Sequence, residues 1–389
     1  MSPEGFWNKS WDRCCYLVFL IVIATGSCFA HVYLSMLNIF FGKKKREGII
    51  FYPYAEKGSS GAYNRIQQFE KLLQSDNIPY KIAFTSQDDI AMQIYDGVRW
   101  KWYFYLLNLY WIRIFQLKEI FNYDVVVIQR GLFPFHYSLK KPLLEKLVAK
   151  INPNMVIDFW DSVFETQPVL VPLTVQYAKT VTVSNDFLKE NFLRWNKNVV
   201  IWKLGFNTAE YQEKTDYEIH QPIRLVWTGL PHNLNNLDFV LPALEFIHQI
   251  HPIILVIIGR EKPAFTSIPI EHHLWNANTF FDLLNGADIG IYPEKNSVHA
   301  KGKSAMKVMD YLTTGLPTIG VEYGLLAEAK HLENIYIANS VEDWKTGLQL
   351  LITDKKLREK IGTNGRQTVI ENYSLNENYK SLKSILFEQ

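Results

Sequence analysis

The chain has 389 residues, 48% of them apolar and 21% charged, with a formal net charge of +2. That length suits two domains, the apolar content excludes disorder as the default state, and the near-neutral balance excludes a protein that holds nucleic acid by counterion release. Cys14, Cys15 and Cys28 are the three cysteines and all fall in one N-terminal apolar stretch, so the remainder carries neither a disulfide framework nor a cysteine-bound metal.

From Tyr16 to Phe41 the chain is almost free of charge. The run exceeds the roughly 20 apolar residues that a bilayer-crossing helix needs. Lys43, Lys44, Lys45 and Arg46 follow it, whereas upstream Glu4 and Asp12 offset Lys9 and Arg13. By the positive-inside rule the bulk of the chain stays cytoplasmic, and segment 1–47 is expected to be a membrane anchor with a basic flank. Two alternatives remain open: a signal peptide ending at Cys28-Phe29-Ala30, and a start at Met36.

Beyond residue 47, short β-rich runs alternate with helical stretches. Strands are expected at Gly48–Tyr54, Tyr123–Gln129, Met155–Phe159, Thr180–Ser184 and Val199–Trp202, and helices at Ala62–Ser75, Lys140–Ile151 and Asn185–Arg194. The stretch Arg99–Lys118 is aromatic-rich and bounded by basic residues, the composition of an interfacial helix or of one with a wide core-packed face. Segment 206–221 is polar, lacks periodicity and ends at Pro222, so it reads as a linker. The alternation then restarts: strands at Arg224–Thr228, Ile253–Gly259, Asp288–Tyr292 and Pro317–Val321, and helices at Leu234–Ile250, Phe280–Asn285, Lys303–Thr314, Val341–Ile352, Lys355–Asn372 and Asn376–Phe387. This pattern predicts two doubly wound α/β units, 48–205 and 222–373, with 374–389 a last helix that could cross back to the first unit. In such sheets ligands bind beyond the carboxyl ends of the strands.

The stretch KGKSAMKVMDYLTTGLP, Lys301–Pro317, carries the clearest chemistry. A basic, glycine-containing loop feeds a helix, Gly315 suits its C-cap, and Pro317 opens a strand. Helix amides beside Lys301 and Lys303 form a site for a diphosphate. Lys307 and Asp310, three residues apart, share a helix face, placing an ammonium for phosphate and a carboxylate for ribose hydroxyls. An amphipathic helix with solvated lysines has the same spacing. In the first unit, Gly58–Arg65 (GSSGAYNR) is a flexible loop opening a helix. There Gly61 lets backbone approach a ligand, and Arg65 is either a phosphate ligand or a surface residue. Arg130 falls at a strand's carboxyl end. Asp158 and Asp161 flank another, where one of them, Asp161 in particular, could accept a proton from an acceptor hydroxyl or cap a helix. No Asp-x-Asp follows a strand, and the adjacent His272 and His273 are poorly placed to share a metal, so no metal and no other cofactor is expected.

Lys301, Gly302, Lys303, Lys307, Asp310, Tyr311, Gly315 and Pro317 resemble the K-G-K-x-x-x-K-x-x-E-Y-x-x-x-G-x-P signature of family 4 ("group 1") glycosyltransferases. Gly286–Ser297, Ile254–Gly259 and Arg224–Gly229 with Pro231 resemble other motifs of that family's nucleotide domain. Tyr123–Arg130, Val156–Phe164 and Val181–Asn191 resemble motifs of its first domain, and the likeness runs from about residue 48 to about 375. The resemblance implies the GT-B fold of two Rossmann-like domains, here behind a single N-terminal span on the cytoplasmic face. It also implies a nucleotide diphosphate sugar as donor, held by Gly61, Arg65, Arg130, Gly229, Lys301, Lys303, Lys307 and Asp310. The resemblance further implies retention of configuration, with Asp161, Lys307 and Asp310 expected to act in catalysis, while Lys43–Arg46 and the stretch Arg99–Lys118 support a membrane- or lipid-linked saccharide as acceptor. Two features depart from the family: Gly302 occupies the place of the first of two paired glutamates, and the usual Arg-x-x-x-x-Lys pair is missing from GLPHNLNNLD. A degenerate scaffold subunit and a nucleotide-sugar epimerase are the alternative readings.

Overall fold

A computed structural model of the chain describes residues 3–54, 56–85, 99–133, 141–142 and 144–388. They form two compact units. The first comprises Met1–Ser184, Leu188–Trp202 and Leu382–Gln389, and the second comprises Asn185–Phe187 and Lys203–Ser381.

The first unit holds six strands: β1 (Ile49–Tyr52), β2 (Tyr80–Ile82), β3 (Val125–Gln129), β4 (Met155–Phe159), β5 (Thr180–Val183) and β6 (Val199–Ile201). They lie in the order β2-β1-β3-β4-β5-β6, all parallel. Residues of β1, β3, β4 and β5 are buried throughout, as a sheet covered on both faces requires. The expected helix 62–75 is broken into Ser60–Arg65, a 3-10 turn and Glu70–Ser75, with the break at Ile66. Lys140 of the expected helix 140–151 lies outside the described residues, and the helix observed there is Glu145–Ile151. The N-terminal apolar run is one helix, Pro3–Phe41, long and apolar enough to cross a membrane from Trp11 onward.

The second unit repeats the plan with β7 (Ile223–Thr228), β8 (Ile253–Ile258), β9 (Ile270–His273), β10 (Ile289–Tyr292), β11 (Thr318–Gly320) and β12 (Tyr336–Ile337). Their order is β12-β11-β10-β7-β8-β9, again all parallel. Trp227, Leu244, Val308, Leu312, Trp344 and Ile361 fill its core. The helix Met306–Thr314 crosses beside β10, where Gly290 is required because a Cβ there would come within 2.8 Å of the Tyr311 ring. Gly315 ends that helix in the left-handed conformation at φ 80°, which favours glycine.

Segment 206–221 contains the 3-10 turn Thr208–Glu210 and otherwise no helix or strand. It packs on the second unit. Tyr217 is buried and donates to the Gly315 carbonyl at 3.0 Å, and Lys214 donates to the carbonyls of Asn285 and Ala287. Its polar sequence reflects side chains that satisfy helix-end carbonyls rather than a free tether.

Candidate functional site

In each sheet the first strand sends the chain to one side and a later strand brings it back to the other. The reversal falls between β7 and β10 in the second unit and between β1 and β3 in the first. At such a point the loops beyond the two strands diverge and leave a crevice for a ligand.

The loop after β7 brings Gly229, His232, Asn233 and Asn236 to this edge, the loop after β10 brings Glu294, and the following loop and helix bring Lys303 and Lys307. Glu294 is buried, 3% exposed. Its Oε1 accepts from Lys303 Nζ at 2.7 Å and lies 4.0 Å from Lys307 Nζ, while its Oε2 accepts from Asn236 at 2.8 Å. Lys303 also donates to Asn233 Oδ1 at 3.2 Å. The Lys307 ammonium stands 4.7 Å from the centre of the Trp227 ring, is itself buried, and has no hydrogen-bond partner among the described residues. Burial pushes its pKa down to about 8, against the pull of Glu294 and helped by Lys303. Burial first, and then Lys303 and Lys307, also hold the His232 imidazole below its usual range. Gly229 permits the arrangement: a Cβ there would sit 2.5 Å from the Trp227 ring and 2.8 Å from Lys307 Nζ.

One carboxylate thus faces two ammonium groups, beside a helix whose N-cap residue, Ala305, supplies no side-chain cap. A buried cation without a hydrogen bond, next to a helix N-terminus, is a site poised for an anion. The sequence pointed to Gly229, Lys303 and Lys307 but not to Glu294, which lies within the motif-like stretch Gly286–Ser297.

Three expectations are corrected. Lys301 belongs to a separate short helix, Val298–Lys301, and is exposed, because the helix expected from Lys303 begins only at Met306. Asp310 does not join Lys307: its carboxylate accepts from the Tyr211 hydroxyl at 2.9 Å, and burial raises its pKa to about 7. Arg65 is no ligand for a phosphate, since it is 1% exposed and its guanidinium is consumed within the fold. It pairs with both oxygens of buried Asp158, at 3.0 and 2.5 Å, donates to the Trp202 carbonyl at 2.8 Å and lies 3.8 Å over the Trp202 ring. Thr182 donates to the same Asp158 carboxylate at 2.7 Å.

Gly61, in that first unit, packs under Trp160, where a Cβ would come within 2.8 Å of the ring, and its carbonyl accepts from Gln129. At the β1/β3 edge Arg130, in the left-handed region at φ 58°, lies over the rings of Tyr54 and Trp160 and pairs with Asp161. Arg130 borders a cavity of about 20 Å³ that is also lined by Tyr54, Glu145, Gln167 and Thr174. Glu145 is buried and accepts from the Leu132 amide at 2.9 Å, and burial raises its carboxyl pKa. His272 and His273 sit on β9, where one contacts the Gly259 carbonyl and the other Glu271.

No protein-family description and no curated protein matches the chain. Similar solved structures include a glycosyltransferase from Rickettsia africae ESF-5, at TM-score 0.61 and 15% identity over 89% of this chain and 100% of that one. Sucrose-phosphate synthase from Thermosynechococcus elongatus aligns at TM-score 0.62 and 11% identity, covering 88% of this chain and 99% of its own. HepE from Anabaena, in complex with UDP-glucose, aligns at TM-score 0.60 and 11% identity, covering 88% and 100%. What these similarities establish is the fold: the chain is built as the two parallel-sheet α/β domains of the GT-B type.

Proposed function

We propose that the chain is a glycosyltransferase that takes a nucleotide diphosphate sugar at the β7/β10 edge and passes the sugar to a membrane- or lipid-linked saccharide. The observation that carries this reading is the Lys307 ammonium, buried and without a hydrogen-bond partner at the switch point of the second sheet. Its fold neighbour HepE binds UDP-glucose, which supports the donor class. In the reaction the bond from the anomeric carbon to the diphosphate breaks, the acceptor oxygen bonds to that carbon, and the hydroxyl proton leaves to a base or to the departing phosphate. Lys307, Lys303 and the first amides of Met306–Thr314 would stabilise the charge that grows on the diphosphate. Glu294 would hold the two lysines in place without cancelling both charges. Near the first unit's cavity, Asp161, paired with Arg130, is an acid that could accept the proton of an acceptor hydroxyl. The N-terminal helix supports a membrane-held acceptor, and the family resemblance supports retention of configuration, which the anomer of the product would report.

Calorimetric titration with uridine, guanosine and thymidine diphosphates tests the reading, with Lys307→Ala as control. Binding of one diphosphate, lost in the variant, is expected; no binding of any would overturn it. Binding without sugar transfer to any membrane extract would instead favour a scaffold subunit, a reading to which Gly302 in place of an acid lends weight.

A further inference from the structure

We propose that the helix Arg99–Gln116 is a second membrane-contacting element, joined to the N-terminal helix, and that it holds the carboxyl edge of the first sheet at a lipid surface. The inference rests on the first unit alone and stands whether or not the chain transfers sugar.

Arg113 is the only charged residue between Trp102 and Leu117, and it is fully buried. Its guanidinium donates to the carbonyls of Pro53 (3.0 Å), Ala83 (2.7 Å) and Leu132 (2.9 Å). Those residues lie just past the carboxyl ends of β1, β2 and β3. Arg113 therefore marks the level of the sheet's carboxyl edge. Downstream, the chain descends beside the sheet through the 3-10 turn Leu117–Phe121 to the start of β3. Upstream, at 1.5 Å per residue, the fourteen residues from Arg99 to Ile112 extend about 20 Å beyond that edge.

The N-terminal helix runs alongside in the same direction. Tyr103 packs on Tyr16 and Phe19, the Tyr110 hydroxyl bonds Ser27, and Trp111 and Phe115 pack on Phe29. Gly26 allows the approach, since a Cβ there would come within 2.9 Å of the Tyr110 ring. Phe19, Ile23, Ser27, Ala30 and Leu34 form its buried seam, spaced as one helix face requires. Away from the seam both helices expose mainly apolar side chains, interrupted by Thr25, His31, Ser35 and Asn38 on the first and Asn108 on the second. Phe104 and Phe115 are 58% and 51% exposed on one helix, and Leu17, Ile21, Val32 and Met36 are exposed on the other. With its one internal charge turned inward and rings turned outward, the pair suits hydrocarbon and not water. Exposed Lys118 follows the helix on the sheet side of Arg113, a cation suited to anionic headgroups at that level. Since the first helix alone is long and apolar enough to enter a bilayer, a helix packed along the middle of that run meets the same lipid. The cavity beside Arg130 lies at the edge from which the pair emerges, so a membrane-held acceptor would meet it directly.

Spin labels test this in the full chain. With Cys14, Cys15 and Cys28 changed to serine, single labels are placed at Phe104→Cys, Phe115→Cys and, on the opposite edge of the sheet, exposed Lys150→Cys. The protein is reconstituted in vesicles of phosphatidylcholine and phosphatidylglycerol. Labels at 104 and 115 are expected to be relaxed by oxygen and shielded from a water-soluble nickel chelate, with label 150 showing the reverse. Equal nickel access at all three positions would overturn the proposal. So would shielding at 104 and 115 accompanied by dipolar broadening between labels, which would assign the face to a second copy of the chain.

Discussion

Lys307 and Glu294 approach to 4.0 Å, yet the carboxylate accepts its hydrogen bonds from Lys303 and Asn236, and the Lys307 ammonium has none among the described residues. A buried cation in that state destabilises the fold on its own account. Lys307→Ala is therefore expected to weaken diphosphate binding about 100-fold, the loss of a charge-assisted contact worth about 3 kcal/mol. It should leave the melting temperature unchanged or higher. Calorimetry and thermal unfolding of the same preparation check both halves; a large fall in melting temperature would mean that the lysine supports structure rather than ligand.

The depressed pKa of Lys307 gives binding a pH signature. The free site loses its proton near pH 8, and a diphosphate requires the ammonium, so affinity should fall as pH rises through 8, approaching about tenfold per unit above it. Proton uptake at pH 8.5, read by calorimetry in buffers of different ionisation heat, is the direct measurement. Stability moves the other way. Because the folded pKa lies below the unfolded one, the unfolded chain holds more protons between about pH 8 and 10.5, and this lysine contributes stability that grows with pH in that window.

Asp310 has the opposite shift, a carboxyl raised to about 7 by burial with one hydroxyl, from Tyr211, to support it. The folded state then holds the extra proton, and the stability present below pH 4 is lost as pH rises through 7. Asp310→Asn keeps an acceptor for Tyr211 and removes the titration, so it should stabilise the protein at pH 8 by up to about 4 kcal/mol and have no such effect at pH 4. Denaturant unfolding at the two pH values measures this. Diphosphate affinity should be kept, in contrast to Lys307→Ala.

Much of this arrangement was legible in the sequence, for physical reasons that differ by element. Strands buried on both faces, such as β3 (VVVIQ) and β8 (IILVII), are apolar runs and stand out. The edge strands β2, β9 and β12 did not, because a half-exposed strand such as IEHH has no continuous apolar run to reveal it. Gly229 and Lys303 could be placed because loops after strands converge at a sheet edge. Arg65 and Asp310 were misjudged because local spacing gives the face of a helix and not what covers it. Asp158, more than ninety residues away, turns Arg65 inward, and Tyr211, from the segment expected as a linker, claims Asp310.

Gly229 lies too close to Trp227 and Lys307 for any side chain. Gly229→Ala must displace one of them, and the ring is walled into the core while the lysine is not. The expected result is a loss of diphosphate binding comparable to that in Lys307→Ala, with about 1–3 kcal/mol of destabilisation from overpacking. A variant that binds normally would show that Lys307 is not the anion's partner.

Arg65 and Asp158 form an ion pair enclosed at the centre of the first unit, at 1% and 0% exposure. Removing one partner strands the other charge. Arg65→Met should therefore cost about 3–5 kcal/mol, whereas adding Asp158→Asn removes the stranded charge and keeps an acceptor for Thr182, recovering a good part of that loss. Unfolding free energies of the two single variants and the double variant give the coupling directly. If Arg65 instead served a phosphate, Arg65→Met would spare stability and reduce diphosphate affinity; burial in contact with Trp202 on one side and Asp158 on the other leads us to expect the reverse.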